Sequence, residues 1–325
     1  MRHALSLAGL ILTAGLSLTL LSQNSEPRQQ TPRKPGQINV DVNLVELPVS
    51  VVRKDGNALE GLEQRNFQVL EDKEPQDISL FKHEDMPVSL GLVIDSSGSM
   101  RNKKERVHSA ALTFVRESNP EDETFVVAFD DQAWLQQDFT GSLGDLVDAL
   151  DGLDPRLETA MYDAIYLSVD HVKKGKLNKK ALLVISDGED TASKWGFNKV
   201  LEHVQQAKDV TIYTVGILDE DSRSGGGLFG LGRSPQKRAR EGLKEIAEVS
   251  GGQAFFPKSI DEITEICQKI ARDLRNQYTV GYSPKNDKKD GTWRTIQVNL
   301  VGLPRNTEKP VVTTRKGYFA PSPPQ

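Results

Sequence analysis

Four apolar runs, Val88–Ile94, Thr124–Phe129, Ala181–Ile185 and Val210–Ile217, recur along the middle of the chain with helix-patterned segments between them. Runs without polar alternation predict strands buried on both faces. Between them Val107, Ala110, Ala111, Phe114 and Val115 form a stripe at helical spacing, and residues from Tyr162 to Val172 and from Phe197 to Ala207 read as two further helices. Strand and helix alternating in this way predict an α/β fold, a doubly wound and mostly parallel sheet with helices on both faces, Rossmann-like in outline. In such a sheet ligands bind in the crevice beyond the carboxyl ends of the strands.

The patterning on either side is different. Ile38, Val40, Val42 and Leu44 alternate with polar residues, and Val49 and Val51 continue that period after Pro48. Asp55-Gly56 supplies a turn, and a second strand pair is expected at Phe67–Val69 and Ile78–Leu80. After a helix ending near Asn276, strand patterning returns in Tyr278–Tyr282, in Ile296, Val298 and Leu300, and from Val311 to Phe319. Each β piece is too small to be stable alone, so the two are expected to pair into one small antiparallel sandwich with the α/β domain inserted between them. The expected organisation is a signal peptide or N-terminal anchor over 1–22, a linker over 23–37, a β segment over 38–85, the α/β domain over 86–277, a second β segment over 278–320 and a tail over 321–325.

The N-terminal assignment rests on Arg2 and His3 preceding an apolar run from Ala4 to about Leu21, which stops at Gln23-Asn24-Ser25. That pattern predicts export to the periplasm or beyond. Cleavage and retention as an inner-membrane anchor both stay open, because Leu20-Leu21-Ser22 is a poor cleavage site. The stretch from Pro27 to about Gly36, rich in Pro, Arg, Gln and Lys, suits a solvated linker. A single cysteine, Cys267, excludes an intramolecular disulfide. It shares an apolar stripe with Ile260, Ile263, Ile266, Ile270 and Leu274, which predicts a buried thiol rather than a reactive one. With a net charge of −5 and both signs mixed along the chain, no basic face stands out, so nucleic acid is not an expected partner.

Chemistry concentrates where the first apolar strand ends, at Asp95-Ser96-Ser97-Gly98-Ser99. A carboxylate and two hydroxyls emerge there, and Gly98 permits a turn tight enough to bring Ser97 and Ser99 to one centre. The plain alternative is that these side chains cap the following helix. Thr159, opening Thr159-Ala160-Met161-Tyr162-Asp163, and Asp187, after Leu182-Leu183-Val184-Ile185-Ser186, stand at the ends of two other predicted elements. Over about Val88 to Asn276 the sequence resembles the von Willebrand factor type A (VWA) family, whose metal-ion-dependent adhesion site draws Asp-x-Ser-x-Ser, a Thr and an Asp from three loops. Asp95, Ser97, Ser99, Thr159 and Asp187 match all five positions. Phe67-Gln68-Val69-Leu70-Glu71-Asp72, Gln277-Tyr278-Thr279-Val280-Gly281-Tyr282 and Lys316-Gly317-Tyr318 extend the likeness to bacterial VWFA-related proteins. Before the Thr, where many relatives carry Gly-Gly, this chain has Leu157-Glu158.

The resemblance implies that the serine hydroxyls ligate an ion directly while the carboxylates act through water. Oxygen donors suit Mg²⁺ first, with Ca²⁺ or Mn²⁺ compatible, and no His or thiolate stands at these positions to favour zinc. A coordination place left open on the ion would take an Asp or Glu carboxylate of a protein partner, which makes the expected activity binding rather than turnover. Glu189 and Asp190 are placed to support the outer shell, or else to be solvated loop charges, and Asp130 and Asp131 suit a turn. The competing enzyme reading is a nucleotide-dependent one on Gly225-Gly226-Gly227-Leu228-Phe229-Gly230, but Asp219, Glu220 and Asp221 precede those glycines and would repel a pyrophosphate. A third reading makes the ion purely structural. His83, His108, His171 and His203 lie in no nucleophile or base motif.

Overall fold

A computed structural model describes residues 44–154, 158–188, 190–218, 235–304 and 308–322. The expected leader, linker and first strand residues up to 43, Leu157, Glu189, the glycine-rich 219–234 stretch and the last residues of the tail lie outside the described residues. In chain order the strands and helices begin with β1 (Val45–Val52), β2 (Phe67–Glu71), β3 (Glu74–Gln76), β4 (Ile78–His83) and β5 (Val88–Asp95). The chain continues through α1 (Lys104–Glu117), β6 (Glu123–Phe129), β7 (Ala133–Thr140), α2 (Leu143–Asp151), α3 (Met161–Val172), β8 (Lys179–Ser186), α4 (Phe197–Gln206) and β9 (Val210–Gly216). It ends with α5 (Pro235–Ser250), β10 (Ala254–Phe255), α6 (Ile263–Arg275), β11 (Tyr278–Tyr282), β12 (Trp293–Leu300), β13 (Val311–Thr313) and β14 (Gly317–Phe319).

The central sheet runs β10-β9-β8-β5-β6-β7, parallel throughout except for β7, which pairs antiparallel with β6 at one edge. The four apolar runs are four of its strands, and β5 is buried at every position. Both faces are covered. Leu90, Leu92 and Ile94 of β5 pack with α1, α2 and α6, while Val93 points to the opposite core with α3, α4 and α5. Burying a side chain of this size contributes roughly 1.5–3 kcal/mol, so alternation along β5 ties both helical layers to one strand. Cys267 lies in the first of these cores, as its stripe predicts. Because β6 and β8 flank β5 on opposite sides, the strand order switches direction there, which opens a crevice at the carboxyl ends of β5 and β8.

The flanking β pieces interleave. One four-stranded sheet has the order β13-β1-β11-β4 and the other β14-β12-β2-β3, so each contains strands from both ends of the chain. Leu47, Val49, Phe67, Val69, Tyr278, Val280, Ile296 and Val298 share one core between them. Two local expectations are corrected. Phe67–Val69 and Ile78–Leu80 do not pair with each other: β2 turns into the short β3, at a turn where Asp72 and Lys73 have positive φ, and β4 joins β11 in the other sheet. The stretch from Val311 to Phe319 is not one strand, since β13 pairs with β1 and β14 with β12.

The chain enters the α/β domain at the start of β5 and leaves it after α6, and the two crossings are tied together by Arg275 Nε donating to Asp85 at 2.8 Å. Beside them Asp273 of α6 accepts from Ser50 of β1 and from Tyr213 of β9, the latter at 2.7 Å. The sandwich therefore attaches at the amino end of the parallel strands, opposite the crevice. Among the described residues no helix is long and apolar enough to cross a membrane.

Candidate metal centre

β5 ends on Asp95, and the chain then bends away from the sheet through a single turn of 3-10 helix, Gly98–Met100. The backbone of this loop is pinned to the neighbouring strand by Ser96 N–H donating to the Phe129 carbonyl at 2.7 Å. Its hydroxyls do not cap α1. The residue at the amino end of α1 is Lys103, and neither Ser97 nor Lys103 makes a side-chain capping bond. That removes the plain alternative for Ser97 and Ser99 and leaves their oxygens turned to the crevice.

Four of the five predicted residues are joined by hydrogen bonds across two loops. Asp95 Oδ1 accepts from Ser97 N at 2.9 Å, Ser97 Oγ lies 3.0 Å from Ser99 Oγ, and Ser99 Oγ donates to Asp187 Oδ1 at 2.7 Å. Asp187 follows β8 directly, so the parallel register that sets Ile94 beside Ile185 also brings the two carboxylates to the same sheet edge. Thr159 arrives from the third loop, and its hydroxyl faces Gly188, where a Cβ would stand 3.7 Å from Thr159 Oγ1. That loop is fastened on both sides: Ala160 N donates to the Asp130 carbonyl at 2.6 Å, and Thr191 N donates to the Thr159 carbonyl at 2.8 Å.

Electrostatics make this a costly arrangement for the bare chain. Asp95 is 3% exposed, and burial pushes its carboxyl up to about 6, an effect that the nearby Asp187 reinforces and hydrogen bonds from Ser186 and Ser97 oppose. Ser186 Oγ donates to Asp95 Oδ2 at 2.5 Å, a partner that sequence reasoning missed although it directly precedes Asp187. Lys103 was missed as well. Its Nζ donates to Asp187 Oδ2 at 2.6 Å, and the two side chains are only 19% and 1% exposed. No local pattern reveals that contact, because it depends on where a flexible side chain reaches.

The remaining acids divide. Asp190 Oδ1 accepts from Tyr162 N at 3.1 Å and from Ser193 Oγ at 2.5 Å, so it holds the start of α3. Asp130 shapes a turn, its Oδ1 accepting from Gln132 N at 3.2 Å, and Asp131 and Glu158 are exposed. The histidines lie elsewhere: His108, His171 and His203 are beside Asp151, Asp138 and Asp170, and His83 stacks on Tyr278. Among the described residues no three His, Cys, Asp or Glu side chains are grouped to hold a metal, so an ion here must depend on hydroxyls. The donor set fits such an ion. The carboxylates of Asp95 and Asp187 and the hydroxyls of Ser97, Ser99 and Thr159 are oxygen groups that suit a hard cation and offer nothing soft.

Residues 90–189, which carry all three loops, match the family model for the von Willebrand factor type A domain. The chain contains a VWA domain. Solved structures similar to it include the von Willebrand factor domain of a type V pilus tip protein from Porphyromonas gingivalis, at 14% identity and a TM-score of 0.47 over 58% of this chain and 95% of that one. Another is the conserved hypothetical protein BatB from Bacteroides thetaiotaomicron, at 19% identity and a TM-score of 0.44 over 58% of this chain and 100% of that one. A von Willebrand factor type A protein from Catenulispora acidiphila aligns at 10% identity and a TM-score of 0.48, covering 80% of this chain and 76% of that one. No curated protein matches the chain. The VWA match spans β5 to β8, the strands whose carboxyl ends bear the oxygen cluster.

Proposed function

We propose that the VWA domain holds a divalent cation, Mg²⁺ first, on Ser97, Ser99, Thr159, Asp95 and Asp187, and that the protein is an exported, adhesion-type binding module and not an enzyme. The observation that carries this reading is the continuous run of hydrogen bonds from Asp95 through Ser97 and Ser99 to Asp187, which gathers oxygens from loops 88 residues apart. A bound cation supplies a concentrated positive charge to which the carboxylate of a partner's Asp or Glu can coordinate. The chain's own contribution is to fix the donors. Gly188 leaves room beside Thr159, and Ser186 orients the Asp95 carboxylate from behind. The histidines stand apart from the cluster, so the site offers oxygens for grip and no general base of that kind for turnover.

Mn²⁺ binding followed by electron paramagnetic resonance tests the ion. The wild-type chain should bind about one equivalent, and Asp95→Ala and Ser97→Ala/Ser99→Ala should bind none at the same concentration. Capture of envelope proteins should require Mg²⁺ and fail in both variants. Undiminished Mn²⁺ binding in both variants would remove the ion from this site, and capture that persists in chelator would leave it a structural role.

A further inference from the structure

Lys103 stands at the amino end of α1 on a firm base, its backbone N–H donating to the Met100 carbonyl at 2.8 Å and its own carbonyl accepting from Val107 N at 3.0 Å. From there the side chain reaches 84 residues along the sequence to Asp187, where Nζ donates to Oδ2 at 2.6 Å. The other oxygen of the same carboxylate is taken by Ser99 Oγ at 2.7 Å. Both oxygens of Asp187 are therefore engaged by the chain itself, and the carboxylate is 1% exposed. An ammonium and a divalent cation are rivals for such a group. They repel each other at close range, and the ammonium is tethered, so it competes at a fixed and high local concentration.

Resting on the metal reading above, we propose that Lys103 is the affinity-setting residue of the site, a built-in counter-cation that a divalent ion must displace from Asp187 or bind against. The ion is consequently held more weakly than the five oxygen donors alone would hold it. A charge-assisted hydrogen bond of this kind is worth enough to shift an equilibrium on the order of tenfold to a hundredfold. The positive charge that faces the cluster then comes from two sources, one permanent and one exchangeable. Lys103→Met would lose the permanent one and keep an unbranched side chain of similar length.

Titration of the full chain with MnCl₂ alone, by isothermal calorimetry, decides the matter with three substitutions. Lys103→Met and Lys103→Gln should each tighten Mn²⁺ by at least tenfold, and Lys103→Arg, which keeps the charge, should stay within about threefold of wild type. Melting curves give a second readout that a merely structural lysine would not produce. In chelator Lys103→Met should melt below wild type because Asp187 loses its counter-charge, and saturating Mn²⁺ should raise its melting temperature by more than it raises that of wild type. Equal Mn²⁺ affinity in all four proteins overturns the role of Lys103 and leaves the metal site standing. Weaker binding in Lys103→Met also overturns it, since the lysine would then be holding Asp187 in its ligating position. Failure of every protein, wild type included, to bind Mn²⁺ overturns both readings together.

Discussion

Asp95→Asn should stabilise the ion-free protein while abolishing its response to metal. The carboxyl is 3% exposed and burial raises it from 3.8 to about 6, so above that pH the folded chain carries a charge that its surroundings disfavour. At 1.36 kcal/mol per tenfold change in proton affinity, the gap amounts to about 3 kcal/mol. The direction follows from linkage. Between about pH 4 and 6 the folded state binds the proton that the unfolded state releases, so stability from this group falls as pH rises through that window and stays low above it. An amide keeps the geometry: its oxygen can accept from Ser97 N as Oδ1 does now, and Ser186 Oγ, which also accepts from Gly188 N at 3.3 Å, can turn to receive the amide proton. Urea unfolding in chelator should therefore show Asp95→Asn more stable than wild type by up to about 3 kcal/mol at pH 7, about half of that at pH 5, and by little at pH 3.5. Saturating Mg²⁺ at pH 7 should reverse the order, because binding to the folded state stabilises only the chain that retains the charge. A variant no more stable than wild type in chelator at pH 7, or one that gains as much from Mg²⁺ as wild type does, would refute the argument.

Three further outcomes follow from the packing. Asp273→Ala takes away the acceptor of the buried Ser50 and Tyr213 hydroxyls, and should cost about 2–4 kcal/mol by urea unfolding; a loss under about 1 kcal/mol would show that this junction is dispensable. Gly91→Ala puts a methyl group against the ring of Phe125 and the end of Leu182 in the middle of the central sheet, and should lower stability by about 1–3 kcal/mol or prevent folding, visible as loss of soluble yield and of the cooperative melt. Cys267 is buried in a core and its thiol is pushed up to about 12, so it should not react with a disulfide reagent in the native protein at pH 8 and should react fully in guanidinium; rapid native labelling would contradict the packing of α6.

What could be read in advance follows the range of the forces involved. The four apolar runs and the Val107–Phe114 stripe carry their own period, and each is an element in the structure. By contrast β7 (Ala133–Thr140) gave no comparable signal, because an edge strand half-covered on both faces mixes polar and apolar residues without a clear rhythm. Helix α2 carries only a short apolar stripe, and its start signal is Ser142 with Asp145, where Ser142 Oγ accepts from Asp145 N at 3.3 Å. In the sandwich the strands and the pairing of the two ends were visible and the neighbour of each strand was not: β2 and β4 are close in sequence yet lie in different sheets, each beside a strand from the other end of the chain. The cluster shows the same division. Three loops could be named from the resemblance of their residues to the VWA site, whereas Lys103 and Ser186 act only through the carboxylates that the fold brings to them.

That topology also explains how the oxygen cluster sits on a domain inserted into another. Entry at Val88 and exit after Arg275 lie together at the amino end of the sheet, tied by Arg275 to Asp85 and by Asp273 to Ser50, while Lys179 at the start of β8 donates to the Leu274 carbonyl beside them. Asp95 and Asp187 are at the other end of β5 and β8. A pull applied at the cluster therefore runs along two central parallel strands, each hydrogen-bonded on both sides, before it reaches the sandwich. Load along such strands is shared by ladders that must shear together, which is a stiffer path than one through an edge strand or a surface loop. With the oxygens at the ends of β5 and β8 and both chain crossings at their beginnings, the proposed binding role would load the sheet along its two central strands.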